Sequence, residues 1–221
     1  MSNYVPMIRI AVLLSGRHGR GSNMQAIADA CADGRIQGRI VAVVGNFDSP
    51  ALARARDLGL PATVLPSPAK GSEADAEAAY GEALQLLLAA ADVDLICLAG
   101  YIRKVPPMIV SGYAGRIMNT HPALLPSFGG RGMYGINVHQ AVLDYGAKVS
   151  GCTVHFVDES YDTGPIILQS VVLVYEDDTA QTLAARVLVA EHASFPQAVA
   201  LFARGRLRIE GRRVHIASEA L

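Results

Sequence analysis

The sequence predicts an α/β fold: a mostly parallel, twisted sheet with helices on both faces and a less regular, partly antiparallel C-terminal part. Three observations predict it. Short apolar runs such as Ile8–Leu14 and Asp94–Ala99 have strand length and little polar alternation, as expected of strands buried on both faces. Helical stretches lie between such runs, several closed by glycine. Strands and helices alternate through the first half of the chain, which implies βαβ units and parallel pairing.

Taken in order, Ile8–Leu14 is broken only by Arg9 and stops at Ser15-Gly16. After the loop Arg17-His18-Gly19-Arg20-Gly21, Ser22-Asn23 opens a helix through Asp33, ended by Gly34. Arg39–Gly45 is a second strand, stopping at Asn46. Pro50–Leu58 is helical and Gly59 closes it. Pro61–Leu65 is a third, short strand. Pro66–Ser72 is a loop, with Ser72 as N-cap of an Ala- and Leu-rich helix, Glu73–Ala91. Asp94–Ala99 is a fourth strand ending at Gly100, and Gly115–Thr120 a fifth. A helix runs from His139 to about Tyr145, with Gly146 as its stop. Gly151–Val157 and Ile166–Tyr175 are β-rich and only a loop apart, which suggests antiparallel strands. Thr179–Ala203 is one long amphipathic helix with Gly205 past its end. Arg206–Ile216 reads as a closing hairpin turned at Glu210-Gly211. With no internal repeat and no long linker, a single Rossmann-like domain over residues 1–221 is expected.

Composition narrows the function. Hydrophobic residues make up 51% of the 221 and charged residues 18%, enough for a buried core and against disorder. A formal net charge of −1 without a basic block argues against nucleic acid as a partner. No apolar run is long enough to span a bilayer, and Met1–Pro6 carries no secretion signal, so a cytoplasmic protein is expected. Cys31, Cys97 and Cys152 fit no zinc or redox spacing; buried, inert thiols are expected, and no metal.

Two places carry chemistry. Strand, Gly-rich loop and helix form an arrangement that binds phosphate at a helix N-terminus. Gly16, Gly19 and Gly21 allow close backbone approach; Ser22 and Asn23 offer donors. The spacing is neither Gly-x-Gly-x-x-Gly nor a Walker loop, and a second strand ending at Asn46 lacks the acid that holds a dinucleotide ribose. A monophosphate fits better, or the loop is a turn with Ser22 as N-cap. The second place is Asn119-Thr120-His121-Pro122. Alternation along a strand puts Asn119 and His121 on one face, an amide beside an imidazole where an oxyanion can be held. Asp162, before the Gly164-Pro165 turn, is either a turn former or a carboxylate that reaches that imidazole and favours its protonated form.

These stretches resemble the glycinamide ribonucleotide transformylases, the folate-dependent formyltransferase family of purine synthesis. The resemblance runs from Ser15-Gly16 to the long C-terminal helix. Its most specific pieces are Gly21-Ser22-Asn23, Leu98-Ala99-Gly100-Tyr101-Ile102-Arg103, Asn119-Thr120-His121-Pro122, Asp162-Thr163-Gly164-Pro165 and Glu191-His192. It implies formyl transfer from 10-formyltetrahydrofolate, as co-substrate, to the amine of the ribonucleotide. Gly21, Ser22 and Asn23 would hold the phosphate, and Glu191 would contact the ribose. Ile102, Arg103, Lys104 and Val105 would hold the folate head group through their backbone. Asp158 to Asp162 would close that pocket, and Asn119, His121 and Asp162 would be the catalytic trio. Residues 1–101 would then be the phosphate-binding half and 102–221 the catalytic and folate-binding half. Partners would be small molecules, with no nucleic acid or membrane, in a monomer or homodimer.

The chain departs from the family pattern in three places. Arg17-His18-Gly19 lengthens the first loop. Glu77 stands three residues before Tyr80, where the family places a base, so no folate contact is carried over from that segment. Phe128–Gly135 is long and reads as a mobile loop near the site. A formyltetrahydrofolate hydrolase, with water as acceptor, is the alternative. A nicotinamide-dependent dehydrogenase or a nucleotide-binding module would be a different class.

Overall fold

The computed structural model describes residues 7–17, 19–69 and 73–218. His18, Lys70 and the expected N-cap Ser72 lie outside the described residues, as does the N-terminal stretch read for a secretion signal. The chain divides into two compact units, residues 1–118 and 119–221.

The first unit holds β1 (Ile8–Leu14), α1 (Ser22–Ala32), β2 (Gly38–Gly45), α2 (Pro50–Asp57), β3 (Ala62–Val64), α3 (Ala74–Ala90), β4 (Leu95–Leu98) and α4 (Pro107–Gly112). Its strands lie in the order β3-β2-β1-β4, all parallel, as the alternating pattern predicts. Ile10–Leu14 and all of β4 are buried, which explains their unbroken apolar sequence. Ser49 caps α2, its hydroxyl accepting from the Leu52 N–H, with Pro50 in the first turn. Helix α3 begins one residue later than expected, with Glu73 at the N-cap position. Helix α4 is not anticipated by the sequence reading. Its Pro106-Pro107 suggests a turn, yet a proline in the first helical turn loses no hydrogen bond, because that N–H has no intrahelical partner.

The division falls within β5 (Ile117–His121). The second unit continues with α5 (Ile136–Tyr145), β6 (Val149–Phe156), β7 (Ile166–Leu173), α6 (Ala180–Ala203), β8 (Leu207–Glu210) and β9 (Arg213–Ile216). The strand order is β5-β6-β7-β9-β8. β6 and β7 are antiparallel, as their short connection suggests, and β8–β9 is the expected hairpin. β7 and β9 meet in parallel at Ile166 and Arg213. Helix α5 starts three residues before His139, because Gly135, with φ 57°, turns the chain into it. Thr179 and Thr182 form a reciprocal capping box at the start of α6. Together the strands and helices make a Rossmann-like α/β fold with parallel and antiparallel pairing. Cys97 and Cys152 are buried as expected, whereas Cys31 is only half-buried, because its face of α1 is not fully covered. Burial lifts all three thiols above their ordinary pKa. No described helix is long and apolar enough to cross a membrane.

Two buried polar residues of the second unit shape its core. Thr153 on β6 donates to the Ala123 carbonyl at 2.7 Å and accepts from the Leu125 N–H at 3.0 Å, pinning the turn that follows β5. His139 on α5 is 4% exposed, and its Nδ1 has no partner among the described residues. Burial, with His121 adding to it, lowers its pKa from 6.5 to about 4.

Thr153→Val is expected to lower stability by about 1–3 kcal/mol, since the Leu125 N–H and Ala123 carbonyl lose their partner in a buried place. Urea unfolding measures it, and an unchanged midpoint would contradict the assigned role. His139 makes stability depend on pH. Between its unfolded value of 6.5 and its folded value of about 4, the unfolded chain holds the proton that the folded chain refuses. Stability therefore falls as pH drops through that window, by about 2 kcal/mol near pH 5. His139→Gln should reduce the slope, read by denaturant unfolding at neutral pH and in the window; an undiminished slope would refute the assignment.

Candidate active site

Alternation along β5 sends Asn119 and His121 to one face and Thr120 to the other. His121 is 3% exposed and ends the strand before Pro122. Thr120 donates from its hydroxyl to Glu191 Oε1 on α6 at 3.0 Å, and Glu191 is buried. Glu191 is thus tied to β5 through Thr120.

Asp162 lies between β6 and β7 in a left-handed conformation, φ 56°, which a non-glycine residue adopts only under constraint. The constraint is visible around it. A Cβ on Gly164 would run into the Phe156 carbonyl, so only glycine lets the chain turn this close to β6. The Thr163 hydroxyl donates to Asp158 Oδ1 at 2.6 Å and the Ser160 N–H to the same oxygen at 3.1 Å. Arg212, at the hairpin turn, donates to the Thr163 carbonyl at 2.8 Å. Asp158, expected against folate, therefore has one oxygen occupied within its own loop.

The Asp162 carboxylate, 13% exposed, sits among three groups. Oδ2 accepts the Gly130 N–H at 2.9 Å and lies 3.6 Å from His121 Nδ1; Oδ1 lies 3.8 Å from His155 Nε2. His121 Nε2 donates to the Phe128 carbonyl at 2.8 Å. His155 Nδ1 donates to the Phe156 carbonyl at 2.8 Å, and its Nε2 stands 3.2 Å from Asn119 Nδ2. The expected trio is thus brought together. His155, alternating with Val154 and Phe156, reads as a structural strand residue, and the sequence reading missed its place here. The Phe128 carbonyl and Gly130 N–H were missed too, since backbone groups leave no mark in side-chain pattern.

In the first unit the expected binding segments gather at the C-terminal ends of strands. The Asn46 N–H donates to Leu14 O, the Ala99 N–H to Leu13 O and the Ser15 N–H to Gly100 O. Gly21 takes φ 69° at the N-cap of α1, close against Ala51, and Ser22 and Asn23 begin the helix. Its first N–H groups have no intrahelical acceptor, which suits an anion. The Asn23 Oδ1 is buried without a hydrogen-bond partner in the described structure. Arg17 stacks on the Phe47 ring, 3.9 Å from its centroid. The Ile102 N–H donates to Ser15 Oγ at 2.6 Å. Arg103 donates from Nη2 to both Glu77 carboxylate oxygens, at 2.7 and 3.0 Å, and from Nη1 to the Pro68 carbonyl at 2.9 Å. Lys104 is exposed and Val105 buried. Glu77, where the family places a base, thus anchors the side chain of the segment expected to hold folate.

Among the described residues no group of three His, Cys, Asp or Glu side chains could hold a metal ion. Residues 8–199 match the formyl transferase family. The chain is 46% identical to glycinamide ribonucleotide transformylase 1 from Symbiobacterium toebii, whose crystal structure superposes with a TM-score of 0.86 over 96% of this chain and 95% of that one. It is 39% identical over 203 residues to phosphoribosylglycinamide formyltransferase of Escherichia coli (strain K12), covering 91% of this chain and 90% of that protein. It is 41% identical over 201 residues to the chloroplastic phosphoribosylglycinamide formyltransferase of Arabidopsis thaliana, covering 90% of this chain and 67% of that protein. It spans 19% and 14% of two longer, trifunctional relatives. The chain belongs to the formyl transferase family, among its phosphoribosylglycinamide formyltransferases.

Proposed function

We propose that the chain transfers the formyl group of 10-formyltetrahydrofolate to the amine of glycinamide ribonucleotide. The observation that carries this reading is the convergence of Asn119, His121 and Asp162 at the end of β5, in a chain whose relatives are named phosphoribosylglycinamide formyltransferases.

The amine nitrogen attacks the formyl carbon, and the carbonyl electron pair moves onto oxygen. Asn119 donates one Nδ2–H to that oxygen. His121 has already given its Nε2–H to Phe128, so its second donor is Nδ1–H, which the ring carries in addition only as imidazolium. Asp162, 3.6 Å away, balances that charge without taking the proton into a tight hydrogen bond. Collapse of the intermediate restores the carbonyl and breaks the bond to the folate nitrogen. That nitrogen gains a proton and the attacking amine loses one, so the proton count closes. Gly21, Ser22 and Asn23 hold the phosphate, and Glu191 contacts the ribose. The backbone of Ile102–Val105 holds the folate head group, and Asp158–Asp162 close over it. Residues 1–101 and 102–221 act as the phosphate-binding and the catalytic, folate-binding parts. The partners are these two small molecules, and no step calls for a metal.

Loss of one oxyanion donor typically costs ~10²–10³ in rate. Asn119→Ala and His121→Ala are expected to lose that much or more in kcat, followed as formylated ribonucleotide. Asp162→Asn should lower kcat as well, because the charged ring loses its neighbouring anion. Near-wild-type turnover by both His121→Ala and Asp162→Asn would overturn the proposal.

A further inference from the structure

We infer that His155 is a positioning residue: it decides which end of the Asn119 amide faces the reacting oxygen. The inference rests on the formyl-transfer reading above.

A primary amide has two ends of nearly equal shape, one accepting and one donating. Only the NH2 end can stabilise an oxyanion, and β5 itself does not choose between them. His155 does. Its Nδ1 lies 2.8 Å from the Phe156 carbonyl oxygen, which can only accept, so Nδ1 carries a hydrogen. A neutral ring then has a bare lone pair at Nε2, 3.2 Å from Asn119 Nδ2. That lone pair accepts one Nδ2–H; a reversed amide would set Oδ1 against it, lone pair to lone pair. With one hydrogen engaged, the second Nδ2–H is held free for the oxyanion.

The device works only while His155 is neutral. A charged ring would present Nε2–H, attract Oδ1 and reverse the amide. The charged and titratable groups facing His155 are Asp162, Asp158 and His121. The two carboxylates favour the cation, while His121 opposes it. Burial opposes it more: the residue is 2% exposed, and its pKa is pushed below the ordinary value. One carboxylate, Asp162, thus stands between two imidazoles in different roles, His121 as a charged donor and His155 as a neutral acceptor.

Nitrogen-15 NMR of the histidine rings in the wild-type protein reads the tautomer directly. A neutral His155 with its hydrogen on Nδ1 across the pH range of activity is expected; a hydrogen on Nε2 would overturn the inference. Kinetics give an independent reading. His155→Leu should lower kcat by ~10², comparable to losing a donor, with KM for both substrates little changed. His155→Gln, whose side-chain oxygen can accept, should recover part of it. In an Asn119→Ala background His155→Leu should cost no more than about twofold, because the two residues act as one unit. Equal losses in both backgrounds would overturn it, as would His155→Leu turning over at the wild-type rate while Asn119→Ala is slow. If Asn119→Ala itself is fast, the formyl-transfer reading fails and this inference fails with it.

Discussion

A carboxylate that is largely removed from water must be matched by donors or opposite charge, and beside the end of β5 that requirement falls on Asp162. It is met by the Gly130 N–H and by the His121 imidazole, while His155 stands on its other side. Much of the local architecture serves this one group. Gly164 permits the close turn, the Asp158–Thr163 bond stiffens the loop, and Arg212 ties the loop to the C-terminal hairpin. The left-handed backbone at Asp162 is the strain that these contacts sustain. Because Gly130 and Phe128 contribute backbone atoms, the segment after β5 is bound to His121 and Asp162.

A division of labour follows from hydrogen-bond grammar. Carbonyl oxygens only accept, so Phe128 and Phe156 each dictate which nitrogen of a histidine bears hydrogen. The two rings are set oppositely, one through Nε2 and the other through Nδ1. That difference leaves Nδ1 of His121 facing Asp162 and Nε2 of His155 facing Asn119. In the first unit, backbone hydrogen bonds between strand ends likewise hold the glycine loop and the Ile102 segment in place. The Glu77–Arg103 pair fixes the side chain of that segment.

Much of this was legible in the sequence, and what was not has physical causes. β1 and β4 could be read because a strand buried on both faces must be apolar throughout. Asn119 and His121 could be paired because strand side chains alternate. Helix α4 was hidden because Pro106-Pro107 carries a turn signal that a first helical turn also tolerates. The start of α5 was hidden because it depends on the backbone angle of Gly135. His155 alternates with Val154 and Phe156 as a buried strand residue does; only its partner across the strands reveals more. Glu77 and Arg103 lie 26 residues apart, beyond any local pattern, so their pairing is a fact of tertiary structure alone.

The central claim is that the oxyanion site serves an amine acceptor and not water. The most direct measurement mixes the protein with 10-formyltetrahydrofolate and follows tetrahydrofolate with and without glycinamide ribonucleotide. Release that depends on the ribonucleotide, and is matched by formylated product, is expected. Release at the same rate without the ribonucleotide would contradict it.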